Sequence, residues 1–169
     1  MAFNFNISGE STQQLIAAGE DIRISKISLT NTQKVSKCKV DLYIEKKLTG
    51  KFYILKGIEL PIGTSLIYDD IKFSTDNSEF SLYIKLTDGA TFTLTGSIDP
   101  TASTTVTGVG TAFLSEVSIG DEIVVTGETR TVSDIASDTS LTVSSAFSDN
   151  SNDTTPDCNP TALVDVIIN

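Results

Sequence analysis

Apolar and polar side chains alternate with a period of two along much of the first half of this chain. Between residues 35 and 45, Cys38, Val40, Leu42 and Ile44 alternate with Lys37, Lys39, Asp41, Tyr43 and Glu45. Between residues 80 and 86, Phe80, Leu82, Ile84 and Leu86 alternate with Ser81, Tyr83 and Lys85. Successive side chains of a strand point to opposite faces, so this period predicts strands with one buried face. Shorter strands are predicted over residues 22–29, 52–55, 65–68 and 71–73. Turn-forming stretches separate them at Asn31-Thr-Gln, Thr49-Gly50, Pro61-Ile-Gly63 and Thr75-Asp-Asn-Ser78. Residues 11–18 are the one helical candidate, short and soon met by Gly19.

The second half repeats the theme at smaller scale. Residues 91–94, 104–107, 122–126, 130–135 and 140–143 read as five short strands rich in Thr and Val, whose β-branching favours extended backbone. Gly108, Gly110, Gly120 and Gly127 punctuate them. Residues 162–168 then return to the strongly apolar character of the first half. These patterns predict an all-β protein: a β-sandwich or jelly-roll-like domain over residues 1–88 plus 162–169, carrying an inserted small five-stranded β-barrel over residues 89–161. Insertions are tolerated at loop tips whose ends lie close together. The competing reading packs the apolar tail on the second unit.

Charge changes at the same boundary. Residues 1–88 hold eleven basic and eleven acidic side chains, whereas residues 89–169 hold Arg130 against eleven acids, so the second half carries the whole net charge of −10. Such an acidic unit does not hold nucleic acid through its phosphates. The cluster of Lys34, Lys37, Lys39, Lys46, Lys47 and Lys51 fits the solvent side of an edge hairpin, where lysine guards against unwanted pairing. With 39% hydrophobic and 20% charged residues the chain has enough apolar material for a core.

Composition also removes chemistry. The chain has no histidine, which excludes Ser-His-Asp and Cys-His arrangements and histidine-ligated metals. Two cysteines, Cys38 and Cys158, are read as reduced thiols, a single bridge being the sharper alternative. The opening MAFNFNISGESTQQ lacks the basic and apolar regions of a signal peptide, and no apolar run approaches the ~18 residues of a membrane span, so folding in a cytoplasm is expected. The Asp69-Asp70 pair is read as a solvated turn. Asp149-Asn-Ser-Asn-Asp153 with Asp157 has calcium-loop spacing but lacks that loop's glycine and closing glutamate, and is read as a polar linker. Gly108-Val-Gly110 has no third glycine and no following helix, so turn geometry suffices. Neither catalytic, cofactor nor metal residues are assigned. The candidate surface is a partner interface at Tyr43, Tyr83, Lys37 and Lys39: by alternation both tyrosines fall on the polar face, where exposed tyrosine marks interfaces. A sheet covered by a loop is the alternative.

Several motifs in order resemble a small β-domain of tailed-bacteriophage virion proteins: Val106-Thr-Gly-Val-Gly-Thr-Ala-Phe113, Val117-Ser-Ile-Gly-Asp-Glu-Ile123, Gly127-Glu-Thr-Arg-Thr-Val132 and Ile135-Ala-Ser-Asp-Thr-Ser-Leu-Thr-Val143. The first half resembles, more loosely, short phage proteins of the decoration or neck type through Ile27-Ser-Leu-Thr-Asn31, Val40-Asp-Leu-Tyr-Ile44, Leu60-Pro-Ile-Gly-Thr-Ser-Leu66 and Asp165-Val-Ile-Ile-Asn169. The resemblance implies a non-enzymatic structural protein of the virion, made in the host cytoplasm and built into a homo-oligomeric, symmetric assembly. The leading expectation is a capsid decoration or cement protein bound to the major capsid protein, with no nucleic acid, membrane or cofactor partner. The alternatives are a neck or tail adaptor or fibre-attachment protein, and a surface carbohydrate-binding module, which the absence of tryptophan weakens. A carboxylate-pair enzyme has no marked pair to support it.

Overall fold

The computed structural model describes residues 2–46, 48–71, 73–74 and 79–169. Lys47, Lys72 and the turn anticipated at residues 75–78 lie outside the described residues. The chain divides into two compact units. The first comprises Met1–Gln33, Lys37–Asp88 and Ala162–Asn169; the second comprises Lys34–Ser36 and Gly89–Thr161.

In the first unit, β1 (Phe3–Ser8), β4 (Ile27–Asn31), β7 (Ser65–Tyr68) and β17 (Leu163–Ile168) form one antiparallel sheet in the order β1-β17-β4-β7. A second sheet takes β2 (Thr12–Ile16), β5 (Cys38–Lys46), β6 (Gly50–Leu60) and β9 (Ser81–Thr87) in the order β2-β9-β5-β6. The short β3 (Arg23–Ile24) and β8 (Phe73–Ser74) pair separately. The chain crosses between the two four-stranded sheets at β1 to β2, β2 to β4, β4 to β5, β6 to β7, β7 to β9 and β9 to β17. Eight strands wound in this order make a jelly roll.

Alternation explains the core. Ile7, Ile27, Leu29, Val164, Val166 and Ile168 point inward from the first sheet, and Cys38, Val40, Leu42, Leu82, Ile84 and Leu86 from the second, all buried in one cluster. Between the sheets, buried Asn31 donates from Nδ2 to the Leu60 carbonyl at 2.9 Å and accepts the Gln33 N–H at 2.9 Å. Residues 11–18 are not helical. Thr12, Gln13 and Gln14 pair with Lys85, Ile84 and Tyr83 of β9, and sheet pairing overrides a weak helical preference.

In the second unit β14 (Glu128–Ser137) is the long central strand. Its first residues pair with β13 (Glu122–Val125) and its last with β15 (Ser140–Val143), with register shifts on the β15 side. Bulges bend a strand, so one strand serves two parts of the sheet. Including β10 (Phe92–Thr93), β11 (Ser97–Pro100), β12 (Thr105–Val109) and β16 (Asp157–Asn159), the order is β10-β16-β13-β14-β15-β12-β11. This corrects the anticipated five-stranded barrel. Seven strands pair, and among the described residues the sheet does not close. The difference comes from β11 and β16: β16 lies in a stretch that reads as polar, yet its buried Cys158 fills the core. The helix α1 (Phe113–Glu116) buries Phe113 in the same core. At Gly96, φ is +82° and a Cβ would stand 2.5 Å from the Val109 carbonyl oxygen, so the β11–β12 hairpin requires glycine there.

Candidate functional site

The outward faces of the two sheets of the first unit differ in chemistry. On the β2-β9-β5-β6 sheet, Lys39 lies opposite Glu59 and Thr87, Asp41 opposite Lys85, Tyr43 opposite Tyr53 and Tyr83, and Glu45 opposite Lys51 and Ser81. This is a densely charged face crossed by a row of tyrosines. On the β1-β17-β4-β7 sheet, one row runs Asn4, Ile167, Ser28, Ile67 and the next runs Asn6, Asp165, Thr30, Ser65. Only Asp165 is charged in those rows. Asn6 Nδ2 donates to it at 2.6 Å, and the Thr30 and Ser65 hydroxyls lie 2.8 Å apart.

The tyrosine row corrects the expectation for Tyr43. Its side chain occupies the outward face, as alternation requires, but the residue is 1% exposed. Its ring stacks on Tyr83 with centroids 5.6 Å apart and tilts against Tyr53 at 5.5 Å. Lys51 Nζ lies 4.5 Å from the Tyr43 ring centre and donates to its hydroxyl at 3.2 Å, which raises the Lys51 pKa. Neighbouring strands thus build a small outer core over Tyr43, leaving Tyr83 half-buried. Lys37 forms an ion pair with Glu59. The Lys37 contact lowers the Glu59 pKa, with Lys39 adding a smaller pull. Of the four residues singled out from the sequence, Lys39, Tyr43 and Tyr83 share one sheet, and Lys37 immediately precedes its strand β5. Lys37, Lys39 and Tyr83 keep solvent-facing surface and Tyr43 supports them from below.

Sequence reasoning missed the apolar side chains of the β5–β6 hairpin. Leu48 at its tip is fully exposed with φ +67°, and Phe52, Tyr53 and Ile58 on β6 are 51%, 44% and 37% exposed. Their exposure follows from β6 being an edge strand. Two extra residues on β6 relative to β5 shift its register, and Gly57, at φ +61°, donates its N–H to Asp41 Oδ1 at 2.6 Å in one of these bulges. Strand propensity alone does not reveal which strand ends a sheet.

In the acidic unit the carboxylates are engaged with the backbone. Glu128 accepts from the Ser148 hydroxyl at 2.5 Å and the Asp149 N–H at 2.9 Å, and pairs with Arg130. These bonds to the charged form lower its pKa to about 2. Buried Asp121 accepts the N–H groups of Ser118 and Thr161 at 2.8 and 2.9 Å. In the stretch spaced like a calcium loop, Asp149 accepts the Ser151 N–H, Asp153 accepts those of Thr126 and Thr155, and Asp157 accepts the Thr93 hydroxyl. The stretch is thus a bonded connection that ends in β16 rather than a bare polar linker. Asp69 and Asp70 are exposed. Among the described residues no cluster of three or more Cys, Asp or Glu side chains is arranged to hold a metal. Cys38 and Cys158 are free and buried, each in the core of its own unit. Burial first, and then nearby carboxylates, push their thiols up to about 11 and about 12.

The fold is therefore a jelly roll combined with a second, acidic all-β unit. No family model and no curated protein matches the chain. Solved structures similar to it include the Yersinia pseudotuberculosis-derived mitogen, at 17% identity and TM-score 0.27, covering 51% of this chain and 80% of that one. The infectious bursal disease virus VP2 subviral particle matches at 10% identity and TM-score 0.35, and the Gx strain of that virus at 12% and 0.34. Each covers 99% of this chain, which spans only 40% and 38% of those viral chains. Likeness at this level carries no argument about function.

Proposed function

We propose that this chain is a non-enzymatic structural protein of a tailed-phage virion, of the capsid decoration or cement type, which docks on the particle through its jelly-roll unit. The observation that carries the proposal is the β5–β6 hairpin. Along this edge Leu48, Phe52, Tyr53 and Ile58 are exposed, Tyr53 on the outward face with Lys39 and Lys51, and Phe52 and Ile58 opposite the inward-facing Ile44 and Val40. Exposed aromatic and aliphatic side chains ringed by polar groups are the chemistry of a protein interface. The sequence motifs that resemble those of tailed-phage virion proteins supply the class. The acidic unit faces solvent in this proposal, because its negative surface repels its own copies if buried between them.

The test is to purify particles containing the chain and count copies by quantitative mass spectrometry. Copies in roughly the hundreds support capsid decoration, and about a dozen or fewer place the chain at the neck or tail instead, following the symmetry of those parts. Limited proteolysis of the same particles should cut first between residues 148 and 156 and spare residues 1–88. Protection of the acidic unit with cleavage of the first unit would reverse the orientation. The double variant Leu48→Glu with Phe52→Glu should abolish incorporation without unfolding the protein. Normal incorporation would remove the hairpin from the interface.

A further inference from the structure

The sandwich ends in four strand edges, and three of them are blunted. The outermost strand β6 carries two bulges together with Lys51, Lys56 and Glu59. Edge strand β2 carries a bulge between Gln14 and Ile16. Edge strand β7 has four residues. These are the usual means of stopping further strands from adding to a sheet. The fourth edge, β1, has none of them. Its sequence FNFNIS has no charge and no proline, and it pairs with β17 in unbroken register from Phe3↔Ile168 to Ser8↔Leu163.

The hydrogen-bond phase shows what this edge offers. Gly9 N–H donates to the Ala162 carbonyl, while Thr32 N–H donates to that of Leu163. In an antiparallel ladder successive residues bond to opposite sides. Phe3, Phe5 and Ile7 therefore bond to β17, and the N–H and C=O groups of Asn4, Asn6 and Ser8 point away from it. Among the described residues no strand takes them up. The side chains of Asn4, Asn6 and Ser8 are exposed, and those of Phe3 and Phe5 are half-buried against the edge of the core.

We infer that β1 is a strand-addition edge whose occupant is β1 of a second copy of this chain, paired antiparallel about a two-fold axis. A two-fold centred on Phe5 keeps inward side chains opposite inward ones. It sets Asn4 opposite Asn6 of the second copy, Phe3 opposite Ile7, and the two Phe5 rings side by side. Asn4 and Asn6 then exchange main-chain bonds across the axis, and the half-buried phenylalanines gain cover. Charge selects this occupant. Each copy carries a net charge of −10, so copies meet at least cost where neither presents a charge, and β1 is such a place. At the Phe3 end, a cleft walled by Glu20, Asp21, Ile22 and Arg23 carries both signs. The joined sheets would also carry the outward rows of β17, β4 and β7, charged only at Asp165, into one continuous face. This inference does not rest on a virion location.

The experiment is sedimentation velocity on the full chain from about 1 to about 300 µM, the range in which a small interface of this kind populates. A dimer that grows with concentration is expected. Asn4→Pro removes an outward N–H without touching the ladder to β17, and Asn4→Lys adds the guard that β1 lacks. Both should weaken dimerisation at least about tenfold while circular dichroism stays unchanged. Lys56→Ala on the β6 edge should leave dimerisation unchanged. Hydrogen exchange of the wild-type protein reads the same edge without a variant: the Asn4 and Asn6 amides should slow as concentration rises. A chain that stays monomeric throughout, or a dimer that survives both Asn4 variants with those amides still fast, overturns the inference. Protection of those amides only on adding another virion protein would replace the second copy by a foreign strand.

Discussion

The Asp88 carboxylate accepts the Ala162 N–H at 2.6 Å, tying the residue where the chain leaves the jelly roll to the residue where it returns. Ala162 is 1% exposed, so this bond satisfies a donor that has lost its water. Burial raises the Asp88 pKa, with the Ala162 bond opposing and Glu10 adding to the rise. A carboxyl whose folded pKa is raised stabilises the fold while protonated, and that contribution is lost as pH rises through the folded value. At neutral pH the bond is made by a charged group at some cost. Asp88→Asn keeps an acceptor and drops the charge, so it should match or exceed the wild-type melting temperature at pH 7, with the difference vanishing below the ordinary value of 3.8. Asp88→Ala orphans the N–H and should cost about 1–3 kcal/mol at either pH. A melting series of the three proteins from pH 3 to 8 checks both. Equal loss in Asn and Ala variants would refute the role of the acceptor.

The same junction bears on the autonomy of the jelly roll. The strands that enter and leave the acidic unit, β10 and β16, pair with each other, and Thr91 and Thr93 donate to Asn159 and Asp157 at 2.6 and 2.8 Å. Their ends are close, so a short bridge spans them. Replacing residues 89–161 by a glycine-serine turn should leave a soluble protein with a single cooperative melt and the far-ultraviolet signature of strands. Aggregation, or a melt without a transition, would show that the jelly roll needs the acidic unit.

Tyr43 should be worth more to stability than to any interface. Tyr43→Ala empties a site walled by Tyr53, Tyr83 and Lys51 and should destabilise the jelly roll by about 3 kcal/mol, near the low end for truncating a buried aromatic ring. Tyr43→Phe removes only the hydroxyl that Lys51 reaches and should cost under about 1.5 kcal/mol. Urea titrations of the two variants separate these values. A near-neutral Tyr43→Ala would mean that the ring lies open in solution.

Period-two alternation made β5 and β9 legible because it depends only on neighbours in sequence. It also assigned Tyr43 to the correct face. What alternation cannot carry is register: Tyr43 is buried by tyrosines on two other strands, and only tertiary pairing brings them opposite. The jelly-roll order is hidden for the same reason. The strand at 3–8 carries a readable signal, Phe3, Phe5 and Ile7 alternating with Asn4, Asn6 and Ser8. The strand at 157–159 had none, since its single core residue, Cys158, sits among polar neighbours.

Glu128 gives the acidic unit a pH-dependent latch. Its carboxylate holds Ser148 and Asp149 at the end of the segment that follows β15, while Arg130 bonds to both Glu128 and the Ala146 carbonyl and lies 5.1 Å from the Phe147 ring centre. The bonds from the Ser148 hydroxyl, from the Asp149 and Ser148 N–H groups and from Arg130 favour the charged form of Glu128, and together they bring its pKa from 4.5 to about 2. A depressed carboxyl contributes stability that is complete above its unfolded value and is lost as pH falls through the folded one. The contribution should therefore be full at neutral pH and fade between pH 4.5 and about 2. Glu128→Gln cannot accept the same set of bonds as an anion. It should lower the melting temperature of the acidic unit by several degrees at pH 7 and speed proteolytic cleavage between residues 148 and 156. At pH 2 the variant and the wild-type protein should melt together. A melting difference that stays constant from pH 7 to pH 2 would show that Glu128 acts through packing alone.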